Sequence, residues 1–137
     1  MRIRAALFDV FGTLLDVYSV TRRAEELFPG HGARLAVAWR DKQIEYSRLR
    51  TMSGRYVPFS QVTREALEFA LDLLGLSPAA ASVRELLDEY KRLAPFADVV
   101  PSFEALLAGG VELGVLANGD PEMLEAALVS AGLHRHL

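Results

Sequence analysis

The sequence contains no cysteine, no excess of positive charge and no apolar run long enough to span a bilayer. Without cysteine there is no disulfide framework and no thiolate metal site, so nothing requires an oxidising compartment. A formal net charge of -3 gives no electrostatic basis for binding nucleic acid or anionic membranes. The apolar run behind Met1 is short and ends at Asp9, unlike that of a signal peptide. We therefore expect a cytoplasmic protein whose partner is a small molecule.

What is present is a globular composition and an alternation of element types. The 137 residues are 51% hydrophobic and 24% charged, which suits about one domain. Continuous apolar runs at Ile3–Phe8 and Val111–Ala117 predict two parallel strands, the first covered on both faces. Between them, helical spacing prevails from Val20 to Leu93. These patterns predict an α/β protein: a doubly wound core interrupted, after its first strand, by a helical insertion.

The apolar spacing also predicts individual helices. The residues expected along one side of a long helix are Ala36, Trp39, Ile44 and Leu49. A denser stripe, ending at Gly75, comprises Val62, Ala66, Leu67, Phe69, Ala70, Leu73 and Leu74. Ser77-Pro78 predicts the start of a third helix carrying Val83, Leu86, Leu87 and Tyr90. Two further helices are expected at Ser102–Ala108 and from Asp120-Pro121 to Ala131, where Gly132 follows.

Asp9 and Asn118 both follow predicted strands. In an open parallel sheet, ligands bind at the carboxyl ends of the strands. A carboxylate at such an end can attack an electrophilic carbon or phosphorus to form an ester that water later cleaves. The Thr13 hydroxyl, four residues on, and the N–H groups of the turn can hold that carboxylate. The alternative is that Asp9 only caps the turn, because Asp and Gly are ordinary turn residues.

The segment from Phe8 to Leu14 resembles the first motif of the haloacid dehalogenase superfamily, and Asp16–Val20 continues as in the 2-haloacid dehalogenases. The resemblance extends, in family order, through Trp39–Tyr46, Gly54–Tyr56, Thr63–Leu67 and Leu116–Pro121. It implies a partial Rossmann-like core, with two of its parallel strands, at residues 1–15 and 96–137. It implies a helical cap at residues 16–95.

The resemblance also implies a reaction and its residues. Asp9 would displace halide from a 2-haloacid, and water would then cleave the Asp9 ester to release a 2-hydroxyacid without a cofactor. Arg40 and Asn118 would receive the halide, and Thr13 would support the nucleophile. The substrate-contacting positions implied by the family are Val10, Phe11, Asp41, Ile44, Phe59, Ala117 and Asn118.

Phe11 favours a dehalogenase over a phosphatase. Phosphatases of the superfamily carry an aspartate at this position to protonate the leaving alcohol. Halide departs unprotonated, so a dehalogenase has no use for that acid. The later aspartate ligand of the phosphatases' magnesium also has no counterpart, so we expect no metal. A phosphatase-like hydrolase with an unusual motif is the less favoured alternative.

Three departures from the family pattern qualify this interpretation. Ala117 replaces a serine that helps to hold the substrate carboxylate, and Asp41 replaces a glutamine and either pairs with Arg40 or faces solvent. The sequence does not contain the family's later strand, its Lys-Pro motif or its acidic strand end. The resemblance does not assign the role of the family's catalytic lysine to Lys42 or to Lys91. The rival hypothesis is therefore an inactive, truncated chain that forms a homo-oligomer through the exposed edge of its sheet.

Overall fold

The computed structural model describes residues 2–137, and these form two compact units. The first unit comprises residues 2–16 and Lys91–Leu137, and the second comprises Val17–Tyr90. The first contains a parallel strand pair with flanking helices, and the second contains helices only. The predicted α/β class, with helices inserted after the first strand, is confirmed.

The first unit is built on two strand pairs. Its strands are β1 (Ala5–Phe8), β2 (Leu15–Asp16), β3 (Ala94–Pro95) and β4 (Glu112–Val115). Strands β1 and β4 are parallel, with Phe8 opposite Val115, and the Leu116 N–H donates to the Phe8 carbonyl at 2.9 Å. The short strands β2 and β3 are antiparallel. The carboxyl ends of β1 and β4 therefore lie side by side.

Strand β1 is shorter and more exposed than its apolar sequence predicts. Ala6 and Phe8 are half-buried, and the Phe8 ring lies 5.2 Å from that of Phe103. The side chain of Leu7, on the opposite face of the strand, is 67% exposed. Ile3, just before the strand, is 65% exposed. The expectation that both faces are covered is thus wrong for residues 2–137, because packing within this unit covers one face only.

The helices of the first unit are α5 (Val99–Ala108) and α6 (Pro121–Ser130), and a 3-10 turn spans His134–His136. Helix α5 begins three residues before the predicted Ser102, because Pro101 fits a first helical turn, where its missing N–H is not needed. Helix α6 is confirmed. The Asp120 carboxylate accepts from the Met123 N–H at 3.1 Å, and Gly132 follows the helix with φ of 70°.

The second unit is all-helical, as predicted. Its helices are α1 (Thr21–Leu27), α2 (Gly32–Ser53), α3 (Phe59–Leu73) and α4 (Ala80–Glu89), preceded by a 3-10 turn at Val17–Val20. Helix α4 starts later than predicted. Its N-cap is Ala79, and no side chain caps it, so the expectation that Ser77-Pro78 opens this helix is wrong.

The buried stripes of α2 and α3 each differ from the predicted set. The buried residues of α2 are Gly32, Leu35, Ala36, Trp39 and Gln43, whereas Leu49 is 51% exposed. In α3, Thr63 is buried, whereas Leu73 is 64% and Phe69 36% exposed. The buried stripes follow the helical period of about 3.6 residues. A polar residue is therefore buried when it lies on the packed side of the helix, and an apolar residue is exposed when it lies on the other side. Within residues 2–137, no helix combines the length and apolarity needed to cross a membrane.

Candidate active site

The Asp9 carboxylate lies directly after β1 and is held by a neighbouring hydroxyl. Thr13 Oγ1 donates to Asp9 Oδ2 at 2.9 Å, as the four-residue spacing predicts, and both side chains are exposed. The Thr13 hydroxyl therefore orients the Asp9 carboxylate on an exposed side chain at the end of β1.

The turn after Asp9 is closed by its own backbone. The N–H groups of Leu14 and Leu15 each donate to the Val10 carbonyl at 3.0 Å, and the Gly12 N–H donates to the Leu15 carbonyl at 2.8 Å. Gly12 has φ of 93°, which an L side chain rarely adopts. These three N–H groups thus close the turn itself. Val10 at its base is fully buried.

The loop after β4 packs against this turn. A Cβ atom built on Gly119 would lie 2.7 Å from Phe11 Cε2 and 2.9 Å from Leu124 Cγ, so a larger residue here would require these side chains to shift. Phe11 itself is 4% exposed. Asn118, next to Gly119, is exposed, and Ala117 is half-buried. The close contact joins the two loops that carry Asp9 and Asn118 within the first unit.

The remaining predicted site residues belong to the second unit. Arg40 is half-buried on α2, and its Nη1 donates to Gln43 Oε1 at 2.8 Å. Phe59, the first residue of α3, is 7% exposed. Asp41 is exposed and lines a surface groove of about 460 Å³ with Ile44, Glu45, Arg48 and Leu49. Asp41 and Ile44 thus share one groove of α2.

Gln43 anchors Arg40 to a buried polar network. Its side chain is fully buried; Nε2 donates to Thr63 Oγ1 at 2.7 Å, and Oε1 accepts from the Tyr90 hydroxyl at 3.3 Å. Burial raises the pKa of the Tyr90 hydroxyl far above its usual value, so the phenol is a neutral donor. The Trp39 ring centroid lies 4.6 Å from that of Tyr90. Arg40 therefore extends from a firmly packed polar centre.

Comparison with known proteins assigns this arrangement to a family. The sequence pattern of the haloacid dehalogenase-like hydrolases matches residues 3–137. The chain belongs to this family. The observed α/β core with inserted helices agrees with that assignment.

Similar members are 2-haloacid dehalogenases. The chain is 44% identical to the (S)-2-haloacid dehalogenase of Pseudomonas sp. strain YL over 96% of its own length and 56% of the relative's. It is 42% identical to that of Xanthobacter autotrophicus over 96% of itself and 51% of the relative. The solved Xanthobacter L-2-haloacid dehalogenase with chloropropionic acid covalently bound superimposes with a TM-score of 0.92, at 40% identity, over 99% of this chain and 55% of that one. The chain thus spans about half the length of these relatives.

Sequence reasoning overlooked Gln43 in this haloacid dehalogenase-like hydrolase. Gln43 lies four residues after Trp39 and eight after Leu35, on the stripe where apolar residues are expected. A polar residue at such a position, one turn from a candidate anion-binding arginine, is the signal that identifies it. The predicted Ile44 is only half-buried beside it.

Proposed function

We propose that this protein hydrolyses 2-haloacids to 2-hydroxyacids through an ester of Asp9. The observation that carries the proposal is the 2.9 Å hydrogen bond from Thr13 Oγ1 to Asp9 Oδ2 at the carboxyl end of β1. A carboxylate oxygen attacks the α-carbon, the carbon–oxygen bond forms, and halide leaves with the electrons of the carbon–halogen bond. Water then attacks the carboxyl carbon of Asp9 and cleaves the ester; the hydroxyl group of the 2-hydroxyacid takes one proton of the water, the other passes to solvent, and the carboxylate is restored.

Two kinds of similarity support this chemistry. The relatives that match nearly the whole chain are named (S)-2-haloacid dehalogenases. A solved relative carries chloropropionic acid covalently bound, which agrees with a covalent route. For this chain, the substrate class and the ester intermediate are our proposal.

The other residues take the following proposed roles. Arg40 and Asn118 receive the leaving halide, because a guanidinium remains charged and is weakly hydrated, which suits a diffuse monovalent anion. The buried Phe11 ring keeps water away from the nucleophile's turn. Val10, Asp41, Ile44 and Phe59 stay predicted substrate contacts. No step of this reaction calls for a metal or an organic cofactor.

Ala117 bears on which substrates bind. A serine hydroxyl here would donate to a substrate carboxylate, and the loss of one donor to a charged acceptor costs about 1.5–3 kcal/mol. We therefore propose weaker binding of small 2-haloacids than in a relative with serine at this position. Ala117→Ser is expected to lower KM with little change in kcat.

A single turnover in ¹⁸O-water tests the central proposal. The first product should carry the unlabelled oxygen of Asp9, and the Asp9 peptide should gain ¹⁸O, which mass spectrometry of a digest detects. Asp9→Asn is the control. Label in the first product, with none in the Asp9 peptide, would mean that water attacks the substrate directly. Assays of phosphate-ester hydrolysis with and without Mg²⁺ test the phosphatase-like alternative alongside.

A second candidate function is association of copies through β1. Among residues 2–137, β1 is hydrogen-bonded to β4 on one side only, and Leu7 is 67% exposed. A strand edge with unpaired N–H and C=O groups beside exposed apolar side chains favours pairing with another chain. Light scattering after size-exclusion chromatography, at several protein concentrations, measures this association. The cytoplasmic location stays a prediction.

A further inference from the structure

The amide of Gln43 is held in one orientation by the hydrogen bonds around it. Thr63 Oγ1 lies 2.8 Å from the Phe59 carbonyl, which can only accept a hydrogen bond, so the single hydroxyl proton of Thr63 is used there. The same oxygen must then accept from Gln43, whose Nε2 lies 2.7 Å away. The amide nitrogen of Gln43 therefore faces Thr63, and its oxygen faces Arg40 and Tyr90.

Neighbouring groups hold this amide in place. Trp39 Nε1 donates to the Thr63 carbonyl at 2.8 Å and so ties α2 to α3 beside Gln43. Thr63 is β-branched and therefore stiff, and both it and Gln43 are almost completely buried. Because α2, α3 and the residue after α4 all contribute, Gln43 Oε1 is a fixed acceptor rather than a mobile surface group.

A neutral acceptor suits an arginine that must attract an anion. Arg40 Nη1 donates to Gln43 Oε1 at 2.8 Å, which restricts a side chain that otherwise has many rotamers. A carboxylate in the same place would also orient the guanidinium, but its negative charge would offset the attraction for halide. The amide orients Arg40 without placing a negative charge at this position.

We propose that Gln43 is a positioning residue that fixes the guanidinium of Arg40 for halide, with Thr63 determining which way the Gln43 amide faces. The proposal rests on the proposed function, in which Arg40 receives the leaving halide. It assigns a role to two buried polar residues that otherwise interrupt the apolar stripes of α2 and α3.

Chloride binding and arginine spectra test this without turnover. The chain is titrated with chloride and followed by the ³⁵Cl linewidth, and ¹⁵N spectra record whether the Nη groups of Arg40 rotate freely. Gln43→Met keeps the volume but removes the acceptor, and we expect chloride affinity to fall about tenfold or more, with averaged Nη signals. Gln43→Glu should keep the Nη signals distinct while also weakening chloride binding. Gln61→Met, at an exposed glutamine of α3, is the matched control and should behave as the wild type.

A second pair of variants keeps the test valid if Gln43→Met does not fold. Thr63→Ser retains the hydroxyl, whereas Thr63→Val removes it and frees the Gln43 amide to turn its nitrogen towards Arg40. We expect wild-type chloride affinity and Nη signals from the serine variant and the loss of both from the valine variant. A merely structural role for Thr63 would lower the melting temperature of the valine variant without changing the Arg40 spectrum.

The outcomes separate this inference from the proposed function. If Arg40→Ala leaves chloride binding unchanged, the halide role of Arg40 is wrong, and the Nη spectra still decide whether Gln43 orients it. If Arg40→Ala abolishes chloride binding while folded Gln43→Met and Thr63→Val bind chloride like the wild type, Arg40 receives halide and our proposal for Gln43 is overturned.

Discussion

Gly119 packs so closely against Phe11 that a Cβ atom on the glycine would lie 2.7 Å from Cε2 of the ring. Real side-chain contacts are not this short, so any other residue at 119 would force Phe11 or the loop after β4 to shift. The contact fixes the loop that carries Asn118 against the turn that begins at Asp9.

Gly119→Ala should therefore destabilise the first unit. The added methyl group meets Phe11 and the branched carbon of Leu124 together, and such overpacking costs about 1–3 kcal/mol. Urea denaturation measures the change. Gly109→Ala is the control, because a Cβ atom there would lie 3.3 Å from the Leu106 carbonyl oxygen, a less severe contact. Equal effects of the two substitutions would show that the Phe11 contact is not the cause.

Removal of the Thr13 hydroxyl should slow ester formation at Asp9. The hydroxyl donates to a carboxylate oxygen at 2.9 Å, and a hydrogen bond to a charged group contributes about 1.5–3 kcal/mol. We expect Thr13→Val to lower kcat/KM for a 2-haloacid by roughly 10- to 100-fold. Thr13→Ser keeps the donor and should retain most of the activity. If serine and valine were equally damaging, the methyl group of Thr13 rather than its hydroxyl would matter.

Local signals account for the parts of the fold that the sequence predicts. Asp120-Pro121 and Gly132 mark the two ends of α6, and the structure has a cap and a left-handed glycine there. The Asp9–Thr13 bond also follows from a four-residue spacing within one turn. By contrast, β2 pairs with β3 so that Asp16 lies opposite Ala94, and neither short segment has a sequence pattern that predicts this pairing.

Tertiary packing decides what local patterns cannot. Leu49 and Leu73 are apolar helix residues, yet both are more than half exposed, because they lie outside the buried side of their helices. Gln43 is buried although polar, because Thr63 and Tyr90 supply hydrogen bonds from distant segments. Periodicity gives the face of a helix that is buried, but not which polar partners another helix provides.

The Arg50–Glu65 pair should make stability depend on pH in the acid range. Arg50 Nη2 lies 2.6 Å from Glu65 Oε2, and this bond, with one from Gln61, lowers the pKa of Glu65 below its ordinary 4.5. The folded state therefore gains stability above pH 4.5, which is lost as the pH falls through the lowered pKa. Because both side chains are partly exposed, we expect the ion pair to contribute about 0.2–1 kcal/mol to the free energy of unfolding.

A double-mutant cycle at several pH values measures that pair. Arg50→Met, Glu65→Gln and the double variant are compared with the wild type by urea denaturation at neutral and strongly acidic pH. The coupling energy should be present at neutral pH and vanish once Glu65 is protonated. A coupling that persists in strong acid would contradict the ionic origin of the interaction.

The cap of α6 offers a test of local helix stability. Asp120 Oδ1 accepts from the Met123 N–H at 3.1 Å, and an N-cap of this type contributes about 1 kcal/mol. Asp120→Ala should lower the unfolding free energy by that amount, whereas Asp120→Ser should keep most of it, as thermal melts can show. Equal losses in both variants would mean that Asp120 acts through its charge rather than through the cap.

The exposed face of β1 predicts how the chain associates. Leu7 is 67% exposed, and its Cδ2 lies so close to Gly114 that a Cβ there would be 2.8 Å away, so the leucine lies flat over β4. If copies pair along β1, a charge at this position should oppose them, because buried lysine would lose its hydration. Leu7→Lys should shift the light-scattering mass towards the monomer. Leu73→Lys replaces a leucine of similar exposure, 64%, on α3 and should leave the mass unchanged. If both lysine variants dissociate the assembly equally, general repulsion explains the effect, and if neither does, association does not use β1.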